Sequence, residues 1–199
     1  MSLRVFLTLD LAQPIKSQLI RLQNRLDKIG ADVRWVKSEH VHLTMKFLGE
    51  ISDQMAVDVC RLCQNVSAEF EPFEFAVRSA GCFANHGLPR VIWVGVEDPS
   101  GCVRRLHERI EKTLAPLGLR RENRAFKPHV TLGRVRSARN AIELRAEVRK
   151  NDNFQAGTAR ASEITIYSSQ LGRKARSTRS SAGQSLVGGQ PRTLELLRV

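Results

Sequence analysis

His42-Leu43-Thr44-Met45 and His129-Val130-Thr131-Leu132 are two copies of one short pattern, in which a histidine and a threonine are each followed by an apolar residue. Side chains two positions apart on an extended strand share a face, so each histidine lies beside its threonine. The pattern therefore predicts two strands that bury one face and present an imidazole and a hydroxyl on the other. In the first strand, the residues that we expect to face the core are Val41, Leu43, Met45 and Phe47.

The two histidines point to acid–base chemistry. An imidazole has an unperturbed pKa of about 6.5, so a pair can supply one general base and one general acid near neutral pH. A lone histidine on a strand is more often structural, but the repetition favours a shared role. His42 and His129 lie 87 residues apart, nearly half of the chain. This spacing predicts two similar lobes that each contribute one histidine strand to a common cleft.

Composition predicts a globular protein. The 199 residues are 42% hydrophobic and 26% charged, and no stretch approaches the roughly 20 apolar residues of a membrane span. The first residues also lack the pattern of a signal peptide. We therefore expect a cytoplasmic protein with no membrane association, acting as a monomer.

The net charge of +12 favours polyanionic partners, although a basic surface also serves solubility. Residues 172–199 supply +5 of this charge and are rich in Ser, Gly and Arg, with few apolar side chains. Such a composition predicts an unfolded tail. A last strand at 193–199 is the alternative. The chain thus divides into one bilobal domain at 1–171 and a basic tail at 172–199.

Cysteines and histidines give weak metal signals. Cys60 and Cys63 form a CxxC pair, but they fall within a helical pattern that makes Cys63 a core residue, and no second pair follows. His40, His42 and His129 could together supply three nitrogens. Threonines beside the histidines suit phosphate oxygens better than a metal, so we expect no metal and no cofactor.

Short connections and two pairs of consecutive strands in the predicted order favour an α+β fold with largely antiparallel sheets over a doubly wound parallel sheet. A loop is expected between two of the strands, over residues 81–89. The predicted strands are 3–10, 33–36, 40–48, 73–79, 90–96, 127–135 and 164–168, and the predicted helices begin near 14, 52, 100 and 140.

Longer stretches around both motifs resemble the two-histidine phosphoesterase superfamily, specifically its RNA 2′,3′-cyclic phosphodiesterase branch, also called 2′-5′ RNA ligases. The similarity follows the branch in order from residue 3 to 171 and departs from it afterwards, where an expected aromatic residue is missing. The stretches that carry it are Arg4–Asp10, Val33–Val36, His42–Glu50, Pro89–Val96 and Phe126–Arg134.

The resemblance implies a bilobal fold and metal-free hydrolysis of a terminal 2′,3′-cyclic phosphate on RNA to a 2′-phosphomonoester, with reversible 2′-5′ ligation. It implies that His42 is the proton donor and His129 the proton acceptor. Thr44 and Thr131 would donate hydrogen bonds to the phosphate oxygens. Arg134 is a candidate for binding the phosphate, with a place at a solvated strand end as the alternative.

Two other functions remain open from the sequence. One is a superfamily enzyme that acts on a small cyclic nucleotide or a 2′-5′ oligonucleotide. The other is an RNA-binding module without catalysis, which the two intact motifs argue against. Of the remaining histidines, we expect His107 at the surface or boundary of a helix and His86 in a loop that could line the cleft.

Overall fold

A computed structural model describes residues 2–120, 122 and 124–169 of the chain. The order of the elements includes consecutive strands as well as strand–helix steps, as the sequence predicts. The strands are β1 (Ser2–Asp10), β2 (Val33–Trp35), β3 (His42–Ser52), β4 (Phe73–Asn85), β5 (Leu88–Glu97), β6 (His129–Val135), β7 (Gln155–Ala161) and β8 (Thr165–Ser169). The helices are α1 (Gln13–Asp27), α2 (Asp53–Ala68), α3 (Cys102–Leu114) and α4 (Ala141–Arg149).

The strands form one antiparallel sheet in the order β7-β4-β5-β6-β3-β1-β8, and β2 pairs with β6. The series β1-α1-β3-α2 is repeated as β5-α3-β6-α4, with β2 inserted in the first copy. The two halves join where β3 meets β6, at the pair Leu43–Val130. The predicted α+β fold with two similar antiparallel halves is therefore confirmed.

Each half is covered partly by a helix of the other half. Helix α3 packs on β3 and α2, whereas α1 packs on β6, β7 and α4. The sequence explains α1 locally, because Pro14 presets the backbone of its first turn and Gly30 adopts a φ of 71° after its end. Its buried stripe consists of Ile15, Leu19, Leu22, Gln23 and Leu26. Because α1 and α3 each pack on the opposite half, the two halves share one continuous hydrophobic core.

A β-bulge changes which side chains of β3 face the core. Thr44 pairs with Thr8 and Lys46 with Leu7, so Met45 is an extra residue. A second irregularity follows at Leu48. Each extra residue shifts the alternation of the strand. Phe47 is consequently 63% exposed, and the prediction that it faces the core was wrong.

Lys46 is buried where a strict alternation would expose it. Its side chain is 3% exposed and forms an ion pair with Glu111 of α3. Its ammonium group also donates a hydrogen bond to the carbonyl of Arg120, at 3.2 Å. A buried lysine requires such partners, since an isolated charge in the core is strongly unfavourable. The contact joins the strand of the first motif to the segment that leads into the second.

The loop expected at 81–89 is instead a β-hairpin. Strands β4 and β5 continue to a two-residue turn at His86 and Gly87, whose φ angles of 47° and 80° are those of a tight hairpin turn. Gly81 is required within the hairpin because an added Cβ would lie 2.3 Å from the Trp93 ring. This part of the strand was not predicted because its small residues have low β-propensity. Hydrogen bonding to β5 compensates for that low propensity. His86 lies exposed at the turn.

Strand β7 was not expected from the sequence. Its residues are mostly small or polar, and it pairs with β4 at the edge of the sheet.

The core position predicted for Cys63 is confirmed, since Cys60 and Cys63 are both buried in α2. Within the described residues, no helix is both long and apolar enough to cross a membrane. The predictions for 172–199, including the strand at 193–199, lie outside the described residues.

Candidate active site

The two histidine motifs meet at their middle residues. Leu43 and Val130 are cross-strand partners and both are completely buried. Because the two strands are antiparallel, the residue before Leu43 lies opposite the residue after Val130. His42 therefore lies next to Thr131, and Thr44 next to His129. All four side chains are half-buried on the face opposite the core. The structure therefore brings the four predicted residues together on one surface.

His42 packs against two aromatic rings. Its imidazole stacks on Phe6 and Tyr167, with ring centroids 5.3 and 5.6 Å away. Burial lowers the pKa of His42 to about 4, opposed by the charge of Asp10 and reinforced by Lys16 and His40. His42 is thus neutral at pH 7 in the free protein. Among the described residues, its buried Nδ1 has no hydrogen-bond partner.

Asp10 organises the ring contacts from the neighbouring strand. It is the cross-strand partner of His42, and it accepts hydrogen bonds from the Tyr167 hydroxyl at 3.1 and 3.2 Å and from the Thr165 hydroxyl at 3.2 Å. Burial and the charge of Asp10 raise the pKa of Tyr167 to about 12, so this hydroxyl remains a donor. The network fixes Tyr167 against His42.

The sequence contained a signal for part of this network. Alternation along β1 puts Val5, Leu7 and Leu9 in the core, which places Phe6 and Asp10 on the opposite face with His42. Tyr167 could not be assigned in this way, because it reaches His42 through a strand pairing that joins residues more than 150 positions apart.

His129 is oriented by a backbone carbonyl. Its Nδ1 lies 2.6 Å from the oxygen of Lys127. A carbonyl only accepts hydrogen bonds, so Nδ1 carries the proton and Nε2 is left for chemistry. Phe83 contacts the ring edge-on, with centroids 4.9 Å apart and an interplanar angle of 89°. Trp93 lies beside it at 6.4 Å. This environment selects one tautomer of His129.

Arg134 lies on the same face as the second motif. Thr131 pairs with Trp93 and Arg134 pairs with Val91, two positions away on β5. Leu132 is the extra residue of a bulge between these pairs, in the position that Met45 occupies in the first motif. After each bulge, the residue five positions beyond the histidine again lies on the face of the sheet that carries the site. That residue is Phe47 in the first half and Arg134 in the second.

His107 has more contacts than the sequence predicted. It is half-buried, its Nδ1 lies 2.9 Å from the carbonyl oxygen of Met45, and its ring stacks on Phe126 at 3.8 Å. These contacts attach the segment before His129 to the strand of the first motif. His107 therefore supports the site from behind and does not line it.

The histidines and cysteines considered as metal ligands from the sequence do not lie together as a metal-binding group in the structure. Within the described residues, no three side chains of the His, Cys, Asp or Glu types are placed to hold one ion. The alternative in which His40, His42 and His129 act as joint ligands is therefore not supported. That the reaction proceeds without a metal stays a prediction.

The sequence profile of the LigT like Phosphoesterase family matches the chain twice, at residues 9–93 and 94–175. The chain is 32% identical over 171 residues to a protein of Methanothermobacter thermautotrophicus named RNA 2′,3′-cyclic phosphodiesterase, covering 86% of this chain and 92% of that one. It is 33% identical over 157 residues to a protein of the same name from Aeropyrum pernix, covering 79% and 88%.

Two solved structures show the same fold. E. coli LigT complexed with 3′-AMP superimposes with a TM-score of 0.67 at 24% identity, over 87% of this chain and 91% of that one. TT0787 of Thermus thermophilus gives a TM-score of 0.70 at 23% identity, over 86% and 91%. The double match of the profile agrees with the two repeated halves of the sheet.

Proposed function

Because the chain belongs to the LigT-like phosphoesterase family, we propose that it is an RNA 2′,3′-cyclic phosphodiesterase that produces a 2′-phosphomonoester. The expected membership of the two-histidine phosphoesterases is confirmed. The observation that carries the proposal is the meeting of the two motifs at Leu43–Val130. This pair directs two imidazoles and two hydroxyls to one surface, where acid and base can stand on opposite sides of one phosphorus.

The proposed reaction needs one proton acceptor and one proton donor. Water attacks the phosphorus and gives a proton to Nε2 of His129, while the bond to the ribose O3′ breaks and His42 protonates that oxygen. Thr44 and Thr131 donate hydrogen bonds to the non-bridging oxygens, where negative charge grows in the transition state. Each positioned proton transfer contributes typically about 10²–10⁴-fold. The Lys127 carbonyl supports this assignment, because in the neutral imidazole it keeps the proton on Nδ1 and so leaves the lone pair on Nε2.

His42 has to gain its proton when substrate binds. Its pKa of about 4 keeps the imidazole neutral in the free protein at pH 7. A phosphodiester carries a negative charge, and an anion in contact with an imidazole favours the charged form. Substrate binding in this proposal therefore takes up one proton at His42. If a 5′-hydroxyl of RNA attacks the phosphorus in place of water and the bond to O3′ breaks in the same way, the product is a 2′-5′ linkage.

Product analysis on a short RNA that ends in a 2′,3′-cyclic phosphate tests this function. We expect a 2′-phosphomonoester, formed at least about 100-fold more slowly by His129→Ala under the same conditions. A 3′-phosphate would contradict the assignment of His42 as the donor to O3′. Tight RNA binding without turnover would favour the non-catalytic module. Turnover of cyclic mononucleotides alone would favour the alternative of a small substrate. The cytoplasmic location and the monomeric state stay predictions.

A further inference from the structure

His107 of α3 contacts the first motif and the segment that leads into the second. Its Nδ1 lies 2.9 Å from the carbonyl oxygen of Met45, and because a carbonyl only accepts hydrogen bonds, Nδ1 is the donor. Its ring stacks on Phe126, with centroids 3.8 Å apart and planes 6° from parallel. Phe126 precedes His129 by three residues. One side chain of α3 therefore connects the two motifs through the core side of the sheet.

The contact with Met45 falls on the bulge of the first motif. Met45 is the extra residue of that bulge, so it has no cross-strand partner on β1, and it is 2% exposed. A buried carbonyl needs a hydrogen-bond donor, which His107 provides. One turn further along α3, Glu111 forms the ion pair with Lys46. These two contacts fix α3 against β3 at the end of the first motif.

The segment before His129 is held at two points. The carbonyl of Pro128 accepts a hydrogen bond from the backbone N–H of Val96 on β5, at 3.2 Å. Phe126 is half-buried and stacks on His107. Lys127 lies between them, and the proline that follows restricts its backbone to extended conformations. The carbonyl of Lys127 is therefore placed by the contacts of its two neighbours.

The position of this carbonyl decides which nitrogen of His129 is free. The Lys127 oxygen lies 2.6 Å from Nδ1 of His129 and accepts its proton in a hydrogen bond. A neutral imidazole with its proton on Nε2 could not accept a proton from water at that atom. The Lys127 side chain is exposed, so it does not anchor the backbone in the core. The stacking of Phe126 on His107 supplies that anchor on the N-terminal side.

We propose that His107 is a positioning residue for the reaction: through Phe126 it fixes the Lys127 carbonyl, and so keeps His129 in the tautomer that can act as the base. Because His107 is itself anchored on Met45, the same contacts place His129 relative to the first motif. This inference rests on the proposed function, in which His129 is the proton acceptor. The control of the tautomer, however, can be measured without any turnover.

Nitrogen-15 NMR of the histidine rings tests the proposal, since couplings to the ring carbon-bound protons show which nitrogen carries the proton. Spectra are recorded at about pH 8.5, well above the ordinary pKa of an imidazole. We expect His129 to be protonated at Nδ1 in the wild type and to be a mixture of both tautomers in His107→Leu. His107→Phe should lie closer to the wild type, because its ring still stacks on Phe126. An unchanged tautomer in His107→Leu, or the same mixture in both variants, would overturn the proposal.

Turnover gives a second readout. His107→Leu should lower kcat by about 10- to 100-fold and leave KM within about twofold, since it misplaces a catalytic group without touching the substrate. Leu144→Ala is the control for a general loss of stability, because Leu144 is buried in α4, which packs on β4, β5 and α1. It should leave the His129 tautomer unchanged. An equal shift of the tautomer in this control would refute a specific role of His107.

Phe126→Leu examines the path itself. It should produce the same mixture of His129 tautomers as His107→Leu, and the double variant should show no further fall in kcat, because both substitutions break one contact. Falls in kcat that multiply in the double variant would show that the two residues act separately and would contradict the proposal. If the wild type has no turnover at all, the proposed function fails, while the NMR comparison still decides the role of His107.

Discussion

Leu43 and Val130 stand directly opposite each other across the junction of the two half-sheets, each between a histidine and a threonine of its own motif. Neither side chain has any exposed surface. The relative placement of the two imidazoles is therefore set by core packing beneath them. A substitution in the core at this pair should therefore change the relative position of the two imidazoles above it.

Leu43→Ala should lower both stability and turnover. Removing a buried leucine side chain costs about 2–5 kcal/mol, and the cavity lies under the site. Leu144→Ala in α4 is the control, because Leu144 is equally buried but lies away from the junction. Urea unfolding and kcat of both variants make the comparison. Equal kcat in the two variants would show that the junction does not set the catalytic geometry.

His42→Ala and His129→Ala should each reduce kcat by about 10²–10⁴-fold, since each removes one proton transfer. His86→Asn is a suitable control, because His86 lies exposed in the hairpin turn with a positive φ that asparagine tolerates. Rates are measured with and without EDTA. Strong inhibition by EDTA that zinc reverses would contradict the metal-free mechanism.

Thr44→Val and Thr131→Val should each slow turnover by roughly 10- to 200-fold. Each loses one hydrogen bond to a charged oxygen, worth about 1.5–3 kcal/mol. Thermal melting should change little, because both hydroxyls lie on the open face of the sheet. Thr158→Val, on the exposed side of β7, provides the comparison. Unaltered rates in both site variants would mean that the phosphate binds elsewhere.

The buried imidazole of His42 should make stability depend on pH. Its pKa is about 4 when folded and about 6.5 when unfolded, so the unfolded chain binds the extra proton between these values. The contribution of His42 to the free energy of unfolding is fully present above pH 6.5. As the pH falls towards 4, this free energy decreases by up to about 3 kcal/mol. His42→Phe keeps the ring stacking without the titration. Urea unfolding from pH 4 to 7 should therefore show a shallower decline for His42→Phe than for the wild type, and parallel curves would refute this origin.

Lys46→Met should be strongly destabilising, because it leaves Glu111 without its partner next to the core. Breaking a buried ion pair on one side costs about 3–5 kcal/mol. Adding Glu111→Leu should restore much of that loss, since the remaining charge is removed. The free energies of unfolding of the two single variants and the double variant complete the cycle. Additive losses would show that the two side chains contribute independently.

Local patterns were sufficient for the elements that bury a regular stripe. The two motif strands and α1 follow from alternation and from residues such as Pro14 and Gly30. The bulge at Met45 was not foreseeable, because alternation along one strand carries no record of an extra residue in the pairing. This is why Phe47 was assigned to the core. Bulges are properties of two strands together.

The parts of the site that the sequence missed depend on distant pairings. Asp10 and Tyr167 reach His42 only because β1 and β8 take particular places in the sheet. Strand β7 and the hairpin extension of β4 are likewise stabilised by neighbours that compensate for small residues of low β-propensity. Strand order, which the local patterns do not specify, supplied this information.

The bulges of the two motifs place different side chains at equivalent positions of the two halves. A half-sized protein that dimerised about the Leu43–Val130 junction would carry the same side chain at both bulge-linked positions, and a phosphodiester could enter it in two equivalent directions. Joining two copies in one gene allows these positions to diverge. In this chain one of these positions holds the aromatic Phe47 and the other the cationic Arg134, which gives the site a polarity that a symmetric homodimer cannot have.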